Sequence, residues 1–421
     1  MVAAGNAGPP RPRLAELVAA LSLGIDLGFG QPMEHVLRQC VIALRLAERT
    51  GLDDDERLVV YYTALLISVG CFSDAHEQAK WFGDDIAIKA DKYRYEMRGL
   101  RSAAQGMRRF GSGSPPLHRF RLGLEFALKG YRDLDGMVER HAAVAAELAR
   151  HIGLPPAVQQ ALAASYEMWD GKGWPGTLAG NDIPIAARVS QFAEFMEVAH
   201  RVGGVDGATA LARSRSGKQF DPALVAALCA APGEMLRDLD TTSTWAMVVD
   251  NEPSLGVHLS EDEFDRALDA VAAFVDLKSP YFLGHSRAVA DLVAEAGTSL
   301  GLNADDLRTL RRAGLAHGFG RLGISNSIWD KPGPLGAGER ERVRLHPYLN
   351  ERILQQSPAL APLAAITVQF RERLDGSGYP RQLTGGAISN AARVLAVADA
   401  YQAMREPRPH RPERDAETAA A

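Results

Sequence analysis

The hexapeptide DGKGWP at 170–175 returns as DGSGYP at 375–380, an offset of 205 positions. The same offset relates the run AARV at 186–189 to AARV at 391–394, and His141 to His346. Earlier in the chain an offset of 250 relates His35 to His285 and the pair GL at 51–52 to GL at 301–302. A constant offset over several matching segments indicates that the chain contains two copies of one fold.

The two offsets, 250 and 205, set the domain boundaries. They differ by 45, so the first copy carries about that many extra residues between Leu66 and His141. We predict a first domain over 13–235 with an insertion at about 72–135, and a second domain over 255–405. The Gly- and Pro-rich residues 1–12 and the polar tail 406–421 are predicted to be disordered.

The apolar pattern predicts an all-α fold. Apolar residues recur at three- and four-residue steps within 36–44 and again within 289–296, and no alternation of period two is found. Residues 14–25 are predicted to form an ordinary buried helix. Asp53, Ser260 and Asn303 have the polar side chains that cap helix starts.

Charge and cysteine content narrow the class of protein. The 47 basic and 52 acidic residues give a net charge of −5, which argues against a chain built mainly to hold nucleic acid. Cys40, Cys71 and Cys229 form no CxxC pair, so a reducing cytoplasm is predicted and a thiolate zinc site is not. No uncharged apolar run reaches about 18 residues, so we predict no membrane span.

A family resemblance rests on six segments of the second copy. They are HSRAVA at 285–290, LRRAGLAHGFGRLGI at 310–324, DKPGPL at 330–335, LHPYLNERIL at 345–354, ERLDGSGYP at 372–380 and AARVLAVADAYQAM at 391–404. In this order they resemble the HD-GYP family, a subgroup of the metal-dependent HD phosphohydrolases. The resemblance implies a helical domain that binds two or three iron or manganese ions and hydrolyses cyclic di-GMP.

The resemblance also identifies which metal ligands the second copy keeps. His285, His317, His346 and Asp399 match ligand positions of the family. His285, His317 and Asp399 are a two-histidine, one-carboxylate set, which can hold one divalent metal with open positions. The alternative is that these residues are relics packed in the helical core, and no metal is bound.

Other positions depart from the family. The aspartate that bridges the metals is replaced by Gly318, two paired histidines fall on Phe370 and Arg371, and the lysine that closes the His-Asp motif is Arg321. A two-metal site needs a shared carboxylate, and a fixed positive charge opposes a second cation. The sequence therefore predicts a degenerate site in this copy.

The first copy departs further. Its residual ligands are His35, His141 and Glu194, because the His-Asp pair falls on Ile67 and Ser68. Its insertion contains CFSDAHEQAKWFGDD at 71–85, which could supply replacement ligands facing His141 or could be a solvated polar segment. The arginines that follow, between 94 and 121, could receive an anion or lie on a solvated surface.

The repeated hexapeptides predict two tight loops. Because the resemblance associates this loop with protein contacts, it implies an interaction loop in each copy. The residues concerned are Asp170, Gly171, Gly173, Trp174 and Pro175 in the first copy, and Asp375, Gly376, Gly378, Tyr379 and Pro380 in the second.

Three functions follow as hypotheses. The first is a signalling or regulatory pseudoenzyme that resembles cyclic di-GMP phosphodiesterases and acts through a protein partner or a bound cyclic dinucleotide. The second is an active phosphodiesterase with a reduced centre of one iron, manganese or other divalent ion, in which Arg321 stabilises a phosphate oxygen. The third is a sensor that binds a nucleotide through arginines without cleaving it. No nucleic acid partner is predicted for this sequence.

Overall fold

The computed structural model describes residues 12–93, 111, 115–126, 131–239, 243–253 and 258–421. Within these ranges every regular element is a helix, and the only β pairings are isolated bridges. The predicted all-α class is therefore confirmed. Residues 1–11, predicted to be disordered, and Arg94 to Arg109 of the arginine-rich segment lie outside the described residues.

The first copy contains twelve of the described α-helices. They are α1 (Leu14–Gly28), α2 (His35–Arg49), α3 (Asp54–Leu66), α4 (Ala75–Phe82), α5 (Asp85–Ala90), α6 (Pro116–Glu125), α7 (Tyr131–His151), α8 (Pro156–Ala163), α9 (Ile185–Arg215), α10 (Pro222–Ala230), α11 (Pro232–Met235) and α12 (Thr244–Asp250). α9 is broken at Gly204, whose φ of 64° is left-handed.

The second copy repeats the arrangement with shorter connections. Its helices are α13 (Glu261–Asp276), α14 (His285–Ser299), α15 (Ala304–Ala316), α16 (Asn326–Trp329), α17 (Ala337–Arg344), α18 (His346–Leu354), α19 (Ala361–Thr367), α20 (Asn390–Arg405) and α21 (Ala416–Ala420). Among the described residues no single helix has both the length and the apolar composition to span a bilayer. Only Asp54–Phe72 taken together with Ala75–Phe82, across a 54° bend, satisfies both criteria.

Polar caps fix the helix starts that the sequence predicts. The Asp53 side chain accepts from the backbone N–H of Glu56 at 2.9 Å, and Ser260 accepts from Glu263 at 3.3 Å. Both glutamates return the bond to the backbone N–H of their cap, which completes two capping boxes. Asn303 caps α15 in the same way, without the return bond.

The two copies share one hydrophobic core, and α1 lies between them. Almost all of α1 is buried, as predicted. On one side the Ser22 hydroxyl donates to the carbonyl of Leu65, in the first copy, at 3.0 Å. On the other side the α-carbon of Gly24 approaches the second copy so closely that an added Cβ would lie 3.0 Å from Leu322 Cδ1. α1 therefore packs as part of both copies.

The insertion also joins the copies. Asp85, at the start of α5, is fully buried and accepts from the Ser325 hydroxyl and the Asn326 N–H, both at 2.8 Å. The Nζ atoms of Lys278 and Lys89 each lie 3.2 Å from its other oxygen. Burial alone would raise the pKa of Asp85, but the two ammonium groups outweigh it and hold the pKa well below the usual range. Asp85 therefore does not fit the alternative of a solvated polar segment at 71–85, whereas Glu77 and Lys80 on α4 are exposed, as that alternative predicts.

The tail 406–421 is folded back, contrary to the disorder predicted from its composition. Arg411 donates to the carbonyls of Ala403 and Glu406, and the N–H of Arg414 donates to the Met404 carbonyl at 2.9 Å. The carbonyls at the end of a helix lack partners within it, and the tail's polar groups satisfy those of α20. The polar groups of the tail thus hold it in place through hydrogen bonds to the end of α20.

Candidate functional site

Three predicted ligands of the second copy meet at one point. His285 begins α14, His317 follows the end of α15, and Asp399 lies on α20. All three are buried, and their nitrogen and oxygen ligand atoms lie within 4.8 Å of one another. They are the only set of three or more His, Cys, Asp or Glu residues with such spacing in the described part of the chain. His346 does not belong to this set.

Arg321 fills the middle of this group. It lies on the 3-10 turn Phe319–Gly323 and is only 3% exposed. Its Nη2 atom lies 2.7 Å from His317 Nε2 and 3.2 Å from Asp399 Oδ1. A single guanidinium nitrogen therefore contacts two of the three candidate ligands.

Hydrogen bonding assigns the His317 tautomer. Nδ1 lies 2.6 Å from the Gly314 carbonyl oxygen, which can only accept, so Nδ1 carries the proton. Nε2 then presents its lone pair, and Arg321 donates to it. Burial and the charge of Arg321 together lower the pKa of His317 to about 4, so the ring is neutral. The lone pair that a metal would need is taken by an arginine N–H.

Asp399 is paired with a second arginine. Arg371 Nη2 lies 2.8 Å from Asp399 Oδ2, whereas Arg321 contacts Oδ1. Burial would raise the pKa of Asp399, but the charge of Arg371 and the hydrogen bond to His285 hold it well below the usual value. The carboxylate is thus ionised and compensated within the protein.

The donor set does not fit a centre of two metals. At Gly318 an added Cβ would lie 3.5 Å from Arg321 Nη1, so the guanidinium borders the space of the absent carboxylate. Phe370 packs edge-on against His317 and His346, with ring centroids 5.4 and 5.6 Å apart. His346 donates from Nδ1 to the Val343 carbonyl, and its Nε2 has no hydrogen-bond partner among the described residues. His285, His317 and Asp399 could reach one ion only if Arg321 moved away.

A cavity of about 640 Å³ opens above this group. Its wall combines cations with aromatic rings; it includes Arg321, Lys331, Arg371, Arg408, Tyr281 and Trp329. The tail forms one side, because Glu406 lies 2.8 Å from His285 Nδ1 and Arg408 donates to Glu406 and to the Tyr281 carbonyl. Sequence reasoning missed Arg408 and Glu406, which lie in the segment predicted to be disordered.

The first copy holds a lysine where its candidate ligands would converge. Lys92, from the insertion, places Nζ 2.7 Å from Glu194 Oε1. The Tyr93 hydroxyl donates to Glu194 at 2.9 Å and lies 3.3 Å from His35 Nε2. The other ring nitrogen of His35 bonds Glu197. Lys92 could not be identified from the repeat, because the insertion has no counterpart in the second copy, and the position equivalent to Glu197 holds Gln402.

His141 is separated from His35 and Glu194 and pairs with the insertion instead. Its Nε2 lies 2.7 Å from Asp74 Oδ2. Burial opposes the charged ring, but Cys71 and Asp74 outweigh it and raise the pKa of His141 to about 9. A protonated imidazole has no lone pair for a metal. Asp74 does face His141, as the alternative for the insertion required, in an ion pair.

The two loops predicted to be interaction loops are built alike. In each, the backbone approaches itself so closely that a Cβ on Gly173 or Gly378 would lie 2.4 or 2.3 Å from a backbone nitrogen. A buried glutamate organises each turn. Glu167 accepts from the N–H groups of residues 176–178, and Glu372 accepts from those of Arg381 and Leu383. The tight turns predicted from the two glycines and proline are present, and the glutamates were missed.

Comparison with known proteins identifies the family. A family model described as HD domain matches residues 133–224 and 269–421. A 3'3'-cGAMP-specific phosphodiesterase 3 of Vibrio cholerae is 31% identical over 407 residues, covering 94% of this chain and 87% of that protein. A cyclic di-GMP phosphodiesterase response regulator of Xanthomonas campestris is 37% identical over 132 residues, 31% of this chain and 34% of the relative.

The fold comparison covers nearly the whole chain. A crystal structure of a cyclic GMP-AMP specific phosphodiesterase of Vibrio cholerae superposes with a TM-score of 0.67 at 26% identity, covering 97% of this chain and 92% of that one. The similarity thus includes both copies and their arrangement.

Proposed function

This chain belongs to the HD domain family, whose relatives above are cyclic-dinucleotide phosphodiesterases, and we propose that it is a regulatory member that binds a cyclic dinucleotide without hydrolysing it efficiently. One observation carries the proposal: the Arg321 guanidinium occupies the space between His317 and Asp399. Hydrolysis in this family depends on metal. In this chain the Arg321 guanidinium stands between the candidate ligands, and a guanidinium does not activate a water molecule for hydrolysis.

The cavity has the chemistry of an anion site. Arg321 and Arg371 already balance Asp399, and Arg408, Lys331 and Arg411 add positive charge around the opening. Arginine binds phosphate through two parallel N–H groups, which favours a ligand with phosphodiester oxygens. A cyclic dinucleotide has two phosphodiester groups.

Aromatic rings complete the match with a nucleotide. Phe282 is flanked by the guanidinium groups of Arg321 and Arg408, 4.8 and 5.0 Å from its ring centroid. Tyr281 and Trp329 also border the cavity. Bases stack on aromatic and guanidinium planes, at about 1–3 kcal/mol per base. These residues support a nucleotide over a simple inorganic anion.

The test is binding and turnover measured on the same protein. We expect calorimetry with 3'3'-cGAMP or cyclic di-GMP in EDTA to show saturable binding, with metal content near zero and no hydrolysis in added manganese. Binding that requires manganese, or turnover comparable to that of an active phosphodiesterase, would contradict the proposal.

A second candidate is a phosphodiesterase with a reduced centre of one metal. The close spacing of His285, His317 and Asp399 favours it. It requires Arg321 to swing out, where its guanidinium could stabilise a phosphate oxygen. It predicts about one bound iron or manganese per chain and hydrolysis that His317→Ala abolishes.

The paired loops provide the route to a protein partner. In both copies the loop is held by a buried glutamate and keeps polar residues such as Lys172 and Ser377 exposed. Their shape does not depend on a metal. We propose that ligand binding in the cavity is reported to a partner at these loops, which substitution of Lys172 and Ser377 in a pull-down would test.

A further inference from the structure

A groove between two helices is covered in the first copy. α10 packs across α2 and α9, and the ring of Phe220, just before α10, lies 5.1 Å from that of Phe192. Beneath this cover Ile42, Leu46, Phe192 and Met196 are fully buried. The first copy thus shows what kind of segment fits this groove, namely a short aliphatic helix.

The equivalent groove of the second copy, between α14 and α20, is open. The offsets of 250 and 205 place Leu292, Ala296, Val397 and Tyr401 at the four positions just described. Here they line an apolar cavity of about 360 Å³. Val397 is 70% exposed, whereas its counterpart Phe192 is 0% exposed. The tail that follows α20 folds back along other residues and leaves this groove uncovered.

Charge at the rim specifies the direction of an occupant. In the first copy Arg188 Nη1 lies 2.6 Å from Asp221, whose side chain also caps α10 by accepting from the Ala223 N–H. The equivalent arginine, Arg393, lines the open groove and has no carboxylate partner among the described residues. An occupant would therefore place an acidic cap beside Arg393.

At the opposite end of the groove, the charged residue of the second copy has the opposite sign from that of the first copy. In the first copy Arg45 donates to the carbonyls of Met235 and Arg237, beyond the end of α10. The residue at the equivalent position of α14 is Glu295. A helix with a basic residue after its C-terminus would complement this carboxylate, which also agrees with the helix dipole.

We propose that the groove between α14 and α20 docks a helix of a partner protein that has an acidic N-cap, aliphatic residues on one face and a basic C-terminal end. The groove lies on α14 and α20, outside the cavity at Arg321, so this proposal stands apart from the proposed nucleotide binding. Helix-in-groove docking of this kind is a recurring mode of peptide recognition.

The chain supplies its own probe. A labelled peptide with the sequence of residues 219–231, carrying Cys229→Ser, reproduces the segment that covers the first copy. Because that groove is already filled, we expect the full chain to bind one peptide, with saturation below about 1 mM by fluorescence anisotropy. Val397→Glu should weaken binding at least roughly tenfold, since it buries a charge. Val202→Glu, at a valine 78% exposed on α9, is the matched control and should leave binding unchanged.

Charge reversal tests the orientation. Arg393→Glu should weaken the peptide roughly fivefold, and the peptide with Asp221→Lys should recover most of that loss against Arg393→Glu alone. No saturable binding, or binding that Val397→Glu leaves intact, would overturn the proposal. Self-association of the chain that Val397→Glu abolishes would also overturn it, because the groove would then bind a second copy.

Discussion

Arg321 Nη2 lies 2.7 Å from Nε2 of His317, the ring atom whose lone pair would otherwise face a metal ion. The same nitrogen lies 3.2 Å from Asp399. An arginine side chain thus satisfies hydrogen-bond and charge requirements that a divalent cation satisfies in active metallohydrolases. Our proposal that the protein binds a cyclic dinucleotide without efficient hydrolysis rests on this arginine.

Removing the guanidinium should expose the ligand set. In Arg321→Ala the His317 lone pair becomes available and Asp399 loses one of its two arginines, so we expect manganese to bind at up to one ion per chain. Metal analysis after gel filtration measures this. Without metal the variant should be destabilised by about 3 kcal/mol, because Asp399 remains a buried charge, and manganese should restore part of this loss.

Arg312→Ala provides the control for that experiment. Arg312 pairs with Asp265 and Glu261 near the surface, away from the candidate ligands. It should bind no manganese. If Arg321→Ala also binds none, the ligand set is unable to hold a metal and the guanidinium is not what excludes it.

Lys92 should stabilise the first copy as its internal cation. Lys92→Met leaves Glu194 buried and paired only with hydroxyl donors, and should lower the free energy of unfolding by about 3 kcal/mol, measured in urea. Adding Glu194→Gln should recover most of the loss. Lys80→Met breaks the exposed pair with Glu125 and should cost below about 1 kcal/mol. Equal effects of the two lysine changes would contradict this account.

Asp26 should make stability depend on pH. Its carboxyl is fully buried and accepts from the Val36 N–H, and burial raises its pKa to about 7. Between the unfolded pKa of about 4 and the folded pKa, the folded state binds more protons. Its stabilising contribution is therefore complete below about pH 4 and is lost as pH rises to about 7.

Asp26→Asn removes this titration. The difference in unfolding free energy between wild type and variant should shift by roughly 4 kcal/mol against the wild type from about pH 4 to about pH 8. Urea denaturation at several pH values measures it. Asp54→Asn, at an exposed carboxyl of α3, should show no such change. A constant difference between wild type and Asp26→Asn would show that the carboxyl is not protonated in the fold.

The DGSGYP loop of the second copy should not tolerate a methyl group at Gly378. The added Cβ would lie 2.3 Å from the backbone nitrogen of Arg373, so the backbone would have to move to relieve the clash. We expect Gly378→Ala to cost about 3 kcal/mol, since overpacking against backbone is at the upper end of its usual range. Gly386→Ala, where nothing lies within 4 Å of the new atom, should be neutral. Thermal unfolding of both compares them directly.

Nucleotide affinity should depend on the tail. Arg408 borders the cavity, and Arg408→Ala removes a charged donor, so binding of cyclic dinucleotide in EDTA should fall roughly tenfold. Arg405→Ala changes an exposed arginine three residues earlier, whose side chain donates to the tail carbonyl of Arg414. It should retain affinity. Comparable losses in both variants would mean that Arg408 acts through folding of the tail alone.

The sequence predicted those features that depend on the repeat or on residues close together in the chain. Two copies of one register, the polar caps at Asp53 and Ser260, and the glycine-dependent turns all follow from residues near one another in the chain. The approach of His285, His317 and Asp399 also followed, because the resemblance to a known family supplied it. Each of these predictions rests on comparing one copy with the other, on a local pattern, or on the resemblance.

Contacts between distant segments could not be predicted. Lys92 reaches Glu194 from the insertion, and Asp85 reaches Lys278 across 193 positions, with no periodic pattern to indicate either. The tail has the composition of a disordered segment, yet Arg408 lines the cavity and Glu406 pairs with His285. In each case a polar residue is ordered by a partner that only the three-dimensional arrangement identifies.

The position of α1 bears on how the molecule can be divided. Because Gly24 packs on Leu322 while Ser22 bonds to Leu65, a fragment beginning after residue 255 would be left with an uncovered apolar surface. Such a truncated product would tend to aggregate when expressed by itself. Supplying residues 12–30 as a separate peptide, or fusing them through a linker ahead of residue 258, should recover a soluble second copy.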